Sequence, residues 1–190
     1  LLGPFFDKVP EDFLWNDYYN HANEPVHHVP YLFPYAGKPW LTQKWTRRIM
    51  DKAYGTTVMG LVGNEDVGQM SAWFVLSAAG LHPVDTTAGY IIGSPLFSRM
   101  TLQLDPKFYP GKTFAISAIN TSSENICLQS AKLNGEKFDR AWIAHSAIVK
   151  GGVLGFVMGS QPNMSWGLEP DGNLPSLSPR FVCTEASIRI

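Results

Sequence analysis

The stretch GLVGNEDVGQMSAWFVLSAAGLHPV, residues 60–84, divides the chain into two kinds of sequence. Three polar residues in a row, Asn64, Glu65 and Asp66, run straight into Met70, Ala72, Trp73, Phe74, Val75 and Leu76. The run predicts a helix from about Gln69 to Ala79, closed by Gly80, with Pro83 just beyond. It is apolar nearly all round, which places it inside a helical assembly with Trp73 and Leu76 buried. Past Pro83 the apolar residues recur with a period of two instead.

Upstream, the helical period recurs. EDFLWNDYYNHANE, residues 11–24, spaces Phe13, Leu14, Tyr18 and Tyr19 along one helix face. PVHHVPYLFPYAG, residues 25–37, begins with Pro25, carries Pro30 and Pro34, and predicts a short or kinked helix ending at Gly37. KPWLTQKWTRRIMDKAYG, residues 38–55, predicts the clearest helix. Pro39 sits near its start, Trp45, Ile49 and Met50 form a stripe, and Gly55 is placed to end it.

Downstream, RMTLQL (99–104), TFAISAI (113–119), NICLQSAKL (125–133), AWIAHSAIV (141–149), VLGFVMG (153–159) and CTEASIRI (183–190) alternate like strands. Turn signals fall at Pro110-Gly111, Asn134-Gly135 and Gly151-Gly152, the last reading as a hairpin between core strands. The expectation is an α+β fold. Residues 1–85 form a helical segment and residues 86–190 a β-rich, antiparallel, sandwich-like segment. The short apolar junction YIIGSPLF (90–97) implies that the halves pack rigidly.

The bulk numbers narrow the function classes. A chain of 190 residues with 45% apolar and 16% charged residues is globular, as one large domain or two small ones. A net charge of -1 favours neither nucleic acid nor an anionic membrane. No apolar run nears the roughly 20 residues of a membrane span. The opening LLGPFFDKVP has no Met and no signal-peptide pattern, and reads like the middle of something longer. Cys127 and Cys183 are either one bridge or two free thiols. Aromatics reach 13% with six Trp, a composition that suits sugar faces.

Two clusters carry candidate chemistry. Glu65 and Asp66 precede a helix start, where unpaired backbone N–H groups favour negative charge and keep a carboxylate ionised, as a general base requires. The same spacing fits an ordinary cap, with Asp66 as N-cap and Gln69 as its capping-box partner. The second cluster, NHANEPVHHVPY (20–31), packs two Asn, one Glu and three His into nine residues. Glu24 and His27 have the E-x-x-H spacing of carboxylate-bridged metal sites, yet no second copy exists and Pro25 interrupts the helix. Ligand contact, metal ligation by His27 and His28, and a hydrogen-bonded helix corner all remain open here. HSAIVKGGVLGFVMGSQPNMSWG (145–167) holds no nucleophile elbow, phosphate loop or zinc motif. Asn120-Thr121-Ser122 and Asn163-Met164-Ser165 match the glycosylation acceptor pattern.

Four stretches together carry a resemblance: NEPVHHVPYLFPYAGKPW, GNEDVGQMSAWFVLSAAGLHPV, YIIGSPLF and FVMGSQPNMSWG. They resemble, in order, the C-terminal part of glycoside hydrolase family 92, the calcium-dependent exo-acting α-mannosidases. Beyond about Leu168 nothing matches. The resemblance implies the last helices of an (α/α)6 toroid, following an N-terminal β-sandwich that is not in this sequence. It implies hydrolysis of terminal α-mannosides with inversion, assisted by Ca2+. It makes Asp66 the general base. Position 64 is often a second carboxylate in the family and is Asn64 here, which leaves Asp66 as the candidate. It places Glu24, His28, Asn64 and Glu65 against the mannose and Asn23 beside the calcium. The general acid lies in a motif upstream, so the missing N-terminal part is the implied partner and the isolated chain is expected to be inactive. Export to the periplasm or outside the cell is implied too. The rival expectation is a stand-alone carbohydrate-binding module in the β half, using Trp142 or Trp166.

Overall fold

The computed structural model describes residues 19–84, 89–168 and 174. Most of the helix expected at 11–24, the strand expected at 183–190, and Cys183 lie outside the described residues. The proline-rich run is not one kinked helix. It forms three 3-10 turns, Glu24–Val26, Val29–Tyr31 and Phe33–Ala36, each with a proline in its first positions. Prolines at 25, 30 and 34 remove backbone donors too often for a longer ladder to form. Gly37 ends the run in the left-handed region at φ 68.

Helix α1 spans Pro39–Ala53 and starts on its proline, as expected. Trp45, Ile49, Met50 and Ala53 are buried along it. Its end differs from expectation: Tyr54 turns extended directly, and Gly55 donates its N–H to the Gly60 carbonyl at 2.8 Å. Tyr54 then bridges Leu61 across this loop. Helix α2 spans Gln69–Ala78. Met70 and Trp73 are fully buried, Leu76 is half-buried, and Ser71, Ala72 and Val75 are exposed. The helix therefore buries one face in this chain rather than its whole circumference.

Gly80 follows α2 at φ 78, where a Cβ would stand 2.7 Å from Pro95 Cγ. The chain then enters strands β1 (Leu81–His82), β2 (Gly89–Ile92), β3 (Arg99–Gln103), β4 (Thr113–Ile119), β5 (Cys127–Leu133), β6 (Glu136–Lys137), β7 (Trp142–Ala144) and β8 (Gly152–Gly159). β1, β2 and β7 form a three-stranded antiparallel sheet. The other five form a sheet in the order β3-β4-β8-β5-β6.

Three expectations for this half are corrected. The five-stranded sheet is mixed, because β4 pairs parallel with β8. Residues expected as one strand over 141–149 split into β7 and a short helix α3, His145–Ile148. Gly151 and Gly152, at φ 81 and 128, are not a hairpin. They redirect the chain from α3 so that β8 inserts between β4 and β5. Asn134 and Gly135 do form the expected two-residue hairpin turn, both at positive φ (53 and 90).

One core gathers Phe114, Ile116, Leu128, Leu154, Phe156 and Trp166 beneath the large sheet. The other gathers Tyr31, Phe33, Trp45, Ile49 and Trp73 with Ile91 of β2. Buried polar groups of α1 join the two. Gln43 Oε1 accepts the Leu128 N–H at 2.9 Å. Arg47 donates to the Pro95 carbonyl, Thr121 Oγ1 and the Ser122 carbonyl at 2.6, 3.2 and 2.6 Å. The fold is thus α+β, with two helices of ten residues or more among the described residues.

Candidate functional site

A cavity of about 300 Å3 opens between the proline-rich turns, α2 and β1. Glu24, His27, His28, Gln69, Trp73 and His82 are among its lining residues. The three segments are brought together by backbone contact and aromatic packing. Gly63, at φ 90, lies so close to Ala22 that a Cβ would meet the Ala22 Cβ at 2.8 Å. The loop that carries Asn64–Asp66 therefore rests on the loop that carries Asn23 and Glu24.

Burial holds three histidines in and behind the walls neutral, His21, His27 and His82. Tyr54 Oη donates its one proton to the Met70 carbonyl at 3.0 Å, so it must accept from His21 Nε2 at 2.8 Å. His21 Nδ1 is then an acceptor for the Tyr19 hydroxyl at 2.7 Å. Burial, reinforced by His27 and His82, pushes the His21 pKa down to about 3. His27 Nε2 faces the His21 carbonyl at 2.9 Å and must donate to it. That leaves His27 Nδ1 to accept from Gln69 Nε2 at 3.2 Å. Burial lowers the pKa of His27 as well. His82 stacks on Tyr31 with ring centres 4.4 Å apart, and burial takes its pKa to about 3. The Trp73 ring meets His21 edge-on, 4.4 Å between centres, and its Nε1 donates to the His27 carbonyl at 3.0 Å.

Two buried polar atoms of lining residues have no partner among the described residues: Glu24 Oε1 and His82 Nδ1. An orphaned acceptor in a cavity wall is costly unless a ligand satisfies it. For a hard cation, Glu24 Oε1 fits as one oxygen ligand. The described residues contain no group of three or more His, Cys, Asp or Glu arranged to hold a metal, so a full shell needs other donors.

Glu24 and His28, two of the residues expected at the sugar, line the cavity. Asn23 is exposed beside it, preceding the first 3-10 turn with its carbonyl taken by the Val26 N–H. Asn64, Glu65 and Asp66 do not line it, although Gln69, three residues past Asp66, does. Asn64 and Asp66 are exposed. The capping-box arrangement at Asp66 does not occur. The N-cap position is Gly68, at φ 88 and without a side-chain cap. Glu65 supplies the missing acceptors, with Oε1 taking the Ser71 N–H at 3.0 Å and Oε2 the Ser71 hydroxyl at 2.8 Å. Asp66 and Val67 themselves sit at φ 42 and 60. A β-branched residue at positive φ is a strained conformation that persists only where the surroundings impose it.

His82 and His21 were not singled out by sequence reasoning, and Gln69 was read only as a capping partner. His82 enters through the strand β1, two residues past Gly80, and only the tertiary fold brings it to Glu24. Of the tryptophans proposed for a binding module, Trp166 is a core residue and Trp142 is half-buried. Trp166 is buried with its Nε1 donating to the Phe138 carbonyl at 3.2 Å, and Trp142 packs on the helical core. Asn163 is occupied by an Asx turn, accepting from Ser165 and Trp166 and donating to Gln129. A larger cleft of about 760 Å3 lies beside α1, lined by Lys44, Arg48, Asp51 and Phe74 among others, and holds none of the expected site residues.

A family model described as the glycosyl hydrolase family 92 catalytic domain matches residues 2–160. An "uncharacterized secreted glycosidase" of Arthroderma benhamiae is 33% identical over 160 residues, 82% of this chain and 20% of the relative. A family GH92 α-mannosidase of Bacteroides thetaiotaomicron, also solved in complex with mannoimidazole, is 38% identical with a TM-score of 0.79, over 85% of this chain and 21% of that one. A family GH92 inverting mannosidase from the same bacterium is 41% identical with a TM-score of 0.75, over 82% and 21%. The chain spans about a fifth of the length of these relatives.

Proposed function

Because the chain belongs to glycosyl hydrolase family 92, we propose that it forms part of an enzyme hydrolysing terminal α-mannosides, with Asp66 as general base. The observation that carries the reading is the state of Asp66. Glu65 takes over the bonds to the first turn of α2, and the Asp66 backbone is held in the left-handed region three residues before Gln69, which lines a cavity with orphaned polar walls. The mannoimidazole bound by one relative is consistent with a mannose-shaped pocket.

In an inverting reaction, water attacks the anomeric carbon from the face opposite the leaving group. Asp66 takes the proton of that water as the glycosidic C–O bond breaks. A carboxylic acid outside this chain protonates the leaving oxygen. Glu24 and His28, with the buried His27 and His82 behind them, bind and orient the sugar hydroxyls. A neutral His82 suits this task, because its unpartnered Nδ1 can meet a hydroxyl without adding charge. Asn64 stands where the family often has a second carboxylate, which leaves Asp66 to act as the base alone. Ca2+ bound near Glu24 and Asn23 would supply a positive charge that holds sugar hydroxyls and favours ring distortion. The toroid, the missing N-terminal part and an exported location complete the proposal; no helix among the described residues is long and apolar enough to cross a membrane.

The test is stereochemical. The full-length protein is given an aryl α-mannoside, and the first-formed sugar is followed by proton NMR. Release of β-mannose supports the reading, and release of α-mannose or no hydrolysis of any α-mannoside removes it.

A further inference from the structure

Asp66, Val67 and Gly68 form three consecutive residues in the left-handed region, at φ 42, 60 and 88. The middle one is β-branched and fully exposed, so no packing of its side chain holds it there. Something else must impose the conformation. The contacts that close this loop converge on Glu65. Its carbonyl accepts the Met70 N–H at 3.3 Å, and its two carboxylate oxygens take the Ser71 N–H and hydroxyl at 3.0 and 2.8 Å. The Asp66 carbonyl accepts the Gln69 N–H at 3.2 Å inside that ring. Glu65 thus grips the first turn of α2 by main chain and side chain at once. Asp66 lies in the segment trapped between the two grips.

We infer that Glu65 is the positioning residue for Asp66: its carboxylate clamp on Ser71 fixes the strained loop that presents the base. The inference rests on the reading of Asp66 above. It also separates two adjacent acids by role, Glu65 bonded to the helix and Asp66 exposed.

In the full-length enzyme, Glu65→Ala opens the clamp. Turnover should fall roughly 10–100-fold, the scale of a base displaced by about an ångström, while KM changes less than about threefold. Glu65→Gln keeps an acceptor for the Ser71 N–H and an amide that can donate to Ser71 Oγ, so most activity should return. Val67→Gly removes the Cβ penalty at positive φ. Placed on Glu65→Ala, it should recover part of the lost turnover, which a role confined to global stability would not give. A crystal structure of Glu65→Ala should show residues 66–68 leaving the left-handed region. The inference is overturned if Glu65→Ala keeps full turnover while Asp66→Asn is inactive, or if Glu65→Gln and Glu65→Ala raise KM alike, the mark of a substrate contact. A fully active Asp66→Asn overturns the base reading itself, and this inference with it.

Discussion

Gln69 Nε2 lies 3.2 Å from His27 Nδ1, so the first residue of α2 is tied to the wall of the cavity. Gln69→Leu leaves that buried ring nitrogen without a donor. The expected cost is about 1–2 kcal/mol. It should appear as a lowered thermal midpoint, with weaker binding of mannose-like inhibitors because His27 is freed to turn. An unchanged midpoint and unchanged inhibitor binding would show that the contact is incidental.

The neutral histidines predict an acid-sensitive fold. His21 and His82 have folded pKa values of about 3, against roughly 6.5 in the unfolded chain. Between those limits the unfolded chain binds protons that the folded chain refuses. Their contribution is complete above about pH 6.5 and is lost as pH falls towards 3, at about 1.4 kcal/mol per pH unit for each histidine. His27 adds to the same trend. His82→Phe keeps a ring on Tyr31 and should remove one histidine's share of the slope. Denaturant midpoints measured from pH 4 to 8 check this, and an unchanged slope contradicts it.

Much of the helical half was legible, because its signals are local. The Pro39 start, the Trp45–Ile49 stripe, the Gly80 stop and the Asn134-Gly135 turn each depend on a few neighbouring residues. What failed depended on distant ones. AWIAHSAIV alternates like a strand, yet β8 must turn back to reach the slot between β4 and β5, and the chain spends His145–Ile148 and two left-handed glycines on that turn. The parallel register of β4 and β8 has no sequence signature of its own. At the candidate site, Glu24 and His28 were legible as a dense polar cluster. The cap at α2 was misplaced because Val67 adopts φ 60, which the capping-box spacing does not anticipate. His82 was missed because a lone histidine after Gly80 carries no motif.

Trp73 is the keystone of the aromatic stack, fully buried and parallel to Tyr54 at 5.8 Å between ring centres. Trp73→Ala should cost about 3–5 kcal/mol and depress soluble yield. Trp73→Phe keeps a ring and loses the bond to the His27 carbonyl, for a smaller loss. Thermal midpoints of the two variants should fall in that order.

Arg47 fastens α1 to the β half through three acceptors. Arg47→Met fills much of the same volume but strands the Ser122 carbonyl and leaves the Pro95 carbonyl with the Thr121 hydroxyl alone. A loss of about 2–4 kcal/mol is expected, larger than for exposed Lys52→Met, which should be near neutral. Equal midpoints for the two variants would contradict the docking role.

Glu24 Oε1 is the orphaned oxygen of the cavity wall. Glu24→Gln should raise KM for α-mannosides and weaken Ca2+ binding, read directly by calorimetry. Chelation should abolish activity of the full-length enzyme and Ca2+ should restore it. A tetrahedral Zn2+ site on His27 and His28 would contradict the assignment.

The most direct test of the central claim is Asp66→Asn in the full-length enzyme. Asn has nearly the same shape and cannot accept the water's proton. The account predicts a fall in turnover on the order of 10²–10⁴-fold with KM little changed, because the loss falls on the transition state. An Asp66→Asn enzyme with full turnover would contradict it.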